Sequence, residues 1–169
     1  MMYPVDNPDN SVVEIAVRNA NASWVQKTLK QFSKERHLIG IIGKALVTAC
    51  QKNDPEVVKG LLDAIPTGKK LAVLTTYKMW SYDCLHLAAA RGFSLVAKEL
   101  LGSVSEEAGD DAVLSLLHYR TRSPDFDRTA LHLACGACGE PHSHTGCLLK
   151  GLSESSISNL LQQKDEDGN

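Results

Sequence analysis

The chain has 169 residues, 43% of them hydrophobic, with a formal charge of −2, so it can bury one ordinary core but carries no general attraction for nucleic acid or anionic lipid. Asp6, Asp9, Glu14 and Arg18 interrupt the first twenty residues, which excludes a classical secretory signal. The longest weakly charged run, Leu38 to Cys50, contains Lys44 and is too short to insert in a membrane.

In chain order, Ser11 opens a stretch with apolar residues at Val13, Ala16, Trp24, Val25 and Leu29, where Trp24 is expected to serve as core or end-cap packing. A second stretch begins at Lys44-Ala45-Leu46-Val47-Thr48-Ala49 and continues to Val57, Leu61 and Leu62. Asn53 marks the break between its halves, and Asp54-Pro55-Glu56 supplies an N-cap, a proline at the first helical position and an early acid. Lys70-Leu71-Ala72-Val73-Leu74 then reads as a short extra helix, followed by the aromatic segment Tyr77, Lys78, Met79, Trp80, Ser81 and Tyr82.

Asp83-Cys84-Leu85-His86-Leu87-Ala88-Ala89-Ala90-Arg91-Gly92 opens the third stretch, with Ser94 ahead of Val96, Ala97, Leu100 and Leu101. Glu106-Glu107 and Asp110-Asp111 flank the start of a second extra helix at 112–117, where acids meet the helix dipole. A segment with Tyr119, Arg120, Arg122, Pro124, Asp125, Phe126 and Arg128 leads to Thr129-Ala130-Leu131-His132-Leu133-Ala134. A third extra helix, 157–161, closes the series, and Asp110 and Ser155 are placed to cap two of these short helices.

The copies start at Ser11, Lys44, Asp83 and Thr129, lengthening from 33 to 39 to 46 residues. Each holds two amphipathic helical signals in order, so the helix pair is the repeating object. The pattern resembles the ankyrin repeat, T-P-L-H-x-A-x-x-x-G followed by V-V-x-x-L-L and a finger-like turn, over nearly the whole chain. The resemblance implies an all-α, ankyrin-like solenoid of stacked helical hairpins with extra short helices between repeats, forming a single domain over 1–169. It also implies that His86 and His132 tie neighbouring turns together by hydrogen bonds. Gln162 to Asn169 matches another incoming finger, so the chain is expected to be a fragment continuing past Asn169.

Chemistry gathers between Cys135 and Cys147, where Cys138, His142, His144 and Cys147 are candidate zinc ligands for a closed structural site. Cys135 is set aside from them because its register matches Cys50 and Ala89, small residues expected in the core. Otherwise no cofactor is expected. The five cysteines, at 50, 84, 135, 138 and 147, suit reduced thiols and a cytoplasmic setting better than a disulfide scaffold. No Gly-rich phosphate loop, Gly-x-Ser-x-Gly elbow or His-Glu-x-x-His is present, so no catalytic residue is expected in this chain.

By the resemblance, fingers and first helices form one concave surface for a protein partner. The candidate contacts are Tyr77, Met79, Trp80, Tyr82, Arg91, Tyr119, Arg120, Arg122 and Phe126, with Ala90, Gln51 and Lys52 also on the concave side. The leading expectation is a protein-interaction module without nucleic-acid binding, membrane insertion or activity of its own. The alternatives are a targeting domain of a larger enzyme, or of a bacterial effector delivered to the host cytosol or nucleus, with activity beyond Asn169, and a zinc-stapled module.

Overall fold

The computed structural model describes residues 16–17, 22–31, 38–78, 82–121, 127–136, 145–146, 148–149 and 154–162. Among them lie nine helices: α1 Ala22–Gln31, α2 Leu38–Gln51, α3 Pro55–Asp63, α4 Lys70–Thr76, α5 Cys84–Ala90, α6 Ser94–Ala108, α7 Asp110–His118, α8 Ala130–Gly136 and α9 Glu154–Leu161. An antiparallel bridge, Arg120 to Thr129, pairs the chain at the base of a finger.

Periodicity decides which side of each helix turns inward, and the same register positions are buried in successive units. Leu46, Leu85 and Leu131 are buried, as are Ala49, Ala88 and Ala134, and Val57, Leu61 and Leu62 match Val96, Leu100 and Leu101. The helices consequently stack in files. First helices α2, α5 and α8 touch in order, and second helices α1, α3 and α6 touch in order behind them. Each hairpin thus covers the apolar side of the one before it, the arrangement expected of a repeat solenoid.

The turn joining the two helices of a unit needs a left-handed residue. Gly92 supplies it at φ 69°, and Asn53 adopts φ 55° in the matching place, which agrees with their shared register. Asp54 caps α3 as expected, accepting from the Val57 amide at 3.0 Å, with Pro55 at the first helical position. Three other capping expectations fail: Ser94 opens α6 with Phe93 at the cap position, Asp110 is the first residue of α7 after Gly109, and Ser155 lies inside α9.

The extra short helices are present, seven to nine residues long. They form a third file, with α4 against α7 and α7 against α9. An acid also changes its expected partner here: the Glu107 carboxylate on α6 accepts from the Lys70 amide at 3.2 Å, at the start of the preceding unit's α4. Lys70 Nζ reaches the Ser103 carbonyl at 3.3 Å and stands 3.8 Å from Glu107. Asp110 and Asp111 lie in the first turn of α7, as expected, while Glu107 serves the start of α4 instead.

The second unit also departs from expectation. Its first helix begins at Leu38, six residues ahead of the repeat start at Lys44. Ile41 and Ile42 are buried there, and Gly40 and Gly43 leave a smooth surface beneath the Tyr77 ring. Trp24 is likewise displaced from the core: it stands 40% exposed while Val25 takes the fully buried position.

Candidate interaction surface

The surface begins with what the first helices leave open. In α2 the buried residues crowd one side, and Lys44, Thr48 and Gln51 form the accessible stripe that runs into exposed Lys52. In α5 every residue from Cys84 to Ala89 is buried, so solvent meets the unit at Ala90 and Arg91. The Arg91 guanidinium donates to the Gln51 carbonyl at 3.0 Å, which places the open ends of α2 and α5 side by side.

Fingers supply the adjoining edge. Tyr82 stacks on His86 with ring centroids 6.4 Å apart at 24°, and Tyr119 from the next finger meets the same imidazole edge-on at 6.4 Å. The Lys78 ammonium donates to the Tyr119 hydroxyl at 2.8 Å. Arg120 donates to the Asp127 carboxylate and carbonyl at 3.0 and 2.9 Å, bracing the second finger from within. As an exposed ion pair it contributes little to stability, about 0–1 kcal/mol.

His86 lies beneath these rings. His86 Nε2 donates to the Arg128 carbonyl at 3.2 Å, a link from one unit to the next finger, as the resemblance implies. The described contact of His132 is inside its own unit: the Thr129 hydroxyl lies 2.6 Å from Nδ1 and accepts from the His132 amide at 3.4 Å. Asp83 stands where Thr129 stands in the following unit. Its Oδ1 accepts from the His86 amide at 2.9 Å and approaches His86 Nδ1 to 2.7 Å, with both side chains 1% exposed. This approach is close but poorly aligned, because Nδ1 and Asp83 Oδ2 have no hydrogen-bond partner among the described residues.

The proposed contacts therefore divide. Tyr77 is half-buried against α2, Tyr82 and Tyr119 are half-buried around His86, Arg120 is half-exposed beside Asp127, and Arg91 is exposed on the rim. Met79, Trp80, Arg122 and Phe126 lie outside the described residues. So do the candidate ligands Cys138, His142, His144 and Cys147. Among the described residues no group of three His, Cys, Asp or Glu side chains is placed to hold a metal ion.

Cysteine placement corrects one sequence argument. Cys50 and Cys84 are buried, and the hydrogen bond that the Cys84 thiol donates to Cys50, reinforced by burial, raises its pKa well above the usual range. Cys135, expected in the core by register, is exposed, with its sulfur 3.9 Å from the Thr145 hydroxyl. The residue that covers Cys50 belongs to the following unit's first helix; α8 is the last first helix among the described residues, so nothing comparable covers Cys135.

Lys44 and Lys78 also belong to this surface, beside the contacts expected from sequence. The signal was legible: the sequences of α2, α5 and α8 contain no Asp or Glu. No helix among the described residues is long and apolar enough to cross a membrane.

No family model matches the chain, and no curated protein matches it. Among solved structures it is similar to the crystal structure of EF0377, an ankyrin repeat protein, at 19% identity and a TM-score of 0.47, over 99% of this chain and 89% of that one.

Proposed function

We propose that this chain is a protein-interaction module without catalytic activity of its own, gripping a partner through the face made by its first helices and fingers. The observation that supports this reading is the juxtaposition of the open edge of α2 with Arg91 after α5, fixed by the Arg91 to Gln51 bond, beside fingers braced by Lys78, Tyr119 and Arg120. Such a face is preordered, which lowers the entropy lost when a partner binds. Affinity purification from cytosol tests it with wild type, Thr48→Trp on this face and Lys98→Trp on the exposed side of α6. A specific partner should be lost with Thr48→Trp and kept with Lys98→Trp; equal retention by both would refute the assignment of the face.

A second reading, the zinc-stapled module, is favoured by the position of Cys135. Its exposed sulfur beside Thr145 returns it to the set of available ligands with Cys138, His142, His144 and Cys147. Metal analysis of protein purified without chelator should then find about one zinc per chain, and less than about a tenth of an equivalent eliminates this reading.

A further inference from the structure

The distribution of charge over the files is uneven in a way that the net charge of −2 conceals. First helices α2, α5 and α8 carry no acid, and Lys44, Lys52 and Arg91 are the charged residues at their open edge. Lys78 adds a fourth cation on the finger beside α5, hydrogen-bonded to the Tyr119 hydroxyl so that it is held in position. The acids of the described helices lie instead in the second and third files: Glu56 and Asp63 on α3, Glu99, Glu106 and Glu107 on α6, Asp110 and Asp111 on α7, and Glu154 on α9. Of the acids nearest the first-helix side, Asp54 caps α3, Asp83 is buried under the rings, and Asp127 is engaged by Arg120. The second file as a whole mixes both signs, since Lys59 and Lys98 sit among its acids, although its α1 carries Lys27 and Lys30 and no acid; the first file is acid-free throughout its described helices.

We propose that this face takes an acidic segment of its partner protein, rich in Asp and Glu, in extended form along α2 and across to Arg91. The proposal rests on the interaction-module reading and supplies its partner chemistry. Lys44 on α2 and Lys52, the residue just past its end, are about two helical turns apart, about 12 Å, roughly the span of four extended residues. Arg91 is anchored beside the end of that stripe by its bond to Gln51, so the two neighbouring units meet the same stretch of ligand. A cluster of like-signed side chains focuses the field above it, speeds encounter with an oppositely charged chain and disfavours a basic one.

The test is fluorescence anisotropy at low ionic strength with the full chain and three labelled probes: a Glu/Ser peptide of about twelve residues, its Gln/Ser counterpart, and an oligothymidylate of similar charge. The acidic peptide should bind, the Gln peptide should bind at least roughly tenfold more weakly, and the combined Lys44→Glu, Lys52→Glu, Arg91→Glu variant should lose roughly tenfold or more. Arg91→Lys should retain binding, and thermal melting should show the reversed variant folded, since all three side chains are exposed. Should that variant fail to fold, Lys52→Gln with Arg91→Gln carries the same test. Equal binding of both peptides, indifference to the substitutions, or tighter binding of the oligonucleotide would each overturn the proposal. If Thr48→Trp abolishes partner capture while charge reversal does nothing, the face stands as an interface and only its acidic preference falls.

Discussion

Two glycines in long helices show how a residue's neighbours reverse the sign of one substitution. Gly43 in α2 lies under the Tyr77 ring, and a Cβ there would overlap Cγ, Cδ2 and Cε2 of that ring, whereas Gly102 in α6 has nothing within 4 Å of the corresponding position. Alanine gains about 1 kcal/mol over glycine in a helix, while overpacking costs about 1–3 kcal/mol. Gly43→Ala is therefore expected to destabilise by about 1 kcal/mol and Gly102→Ala to stabilise by about 0.5–1 kcal/mol, read from urea midpoints. Thiols offer a parallel contrast. Cys84 is buried, shares a hydrogen bond with Cys50 and holds its proton above the usual range, so it exposes almost no thiolate, while Cys135 is open to solvent. Mass-spectrometric mapping after brief iodoacetamide treatment at neutral pH should find Cys135 alkylated and Cys50 and Cys84 intact; early labelling of Cys84 would contradict its placement between α2 and α5.

At the scale of the element, α4 shows a helix whose start depends on another unit. Lys69 at its cap makes no side-chain capping bond, and Glu107 from α6 takes over by accepting from the Lys70 amide. Replacing that carboxylate resembles losing a cap, about 0.5–2 kcal/mol. Glu107→Ala should lower stability by about 1 kcal/mol and loosen α4 selectively, seen as faster amide exchange in Lys70–Thr76, with Glu107→Gln recovering part of the loss. If α4 exchanges no faster in Glu107→Ala, the third file is held by Val73 and Leu74 alone, the residues it buries. The same logic explains why Trp24 was misplaced by one position: aligning second helices by pattern tolerates a shift, whereas packing of α1 on α3 selects Val25.

Across the molecule, the main helix contacts among the described residues join neighbouring hairpins, so stability is close to a sum of units and interfaces. Leu100 is fully buried on α6, which touches α3, α4, α5 and α7, while Leu29 is buried on α1 at one end of the second file. Leu100→Ala should cost about 2–5 kcal/mol and accelerate exchange through α3, α5 and α7 together. Leu29→Ala should accelerate exchange chiefly in α1 and α3. Equal, global acceleration in both variants would mean that the stack unfolds as a single cooperative block.

Sequence by itself determined the helix pairs, their register and their direction of burial, because those follow from interactions within a few residues: the 3.6-residue period, the Asp54-Pro55 start, and the shared backbone demand at Asn53 and Gly92. It also displayed the absence of acids from the first helices, although the significance of that absence waited on knowing which edges face outward. Tertiary structure decided the rest: Tyr77 turned inward onto Gly43, Glu107 reaching the preceding unit, Cys135 left uncovered, and Lys52 and Arg91 drawn together by the Gln51 carbonyl. Each of these depends on the distance and angle between units about forty residues apart, and local periodicity sets neither.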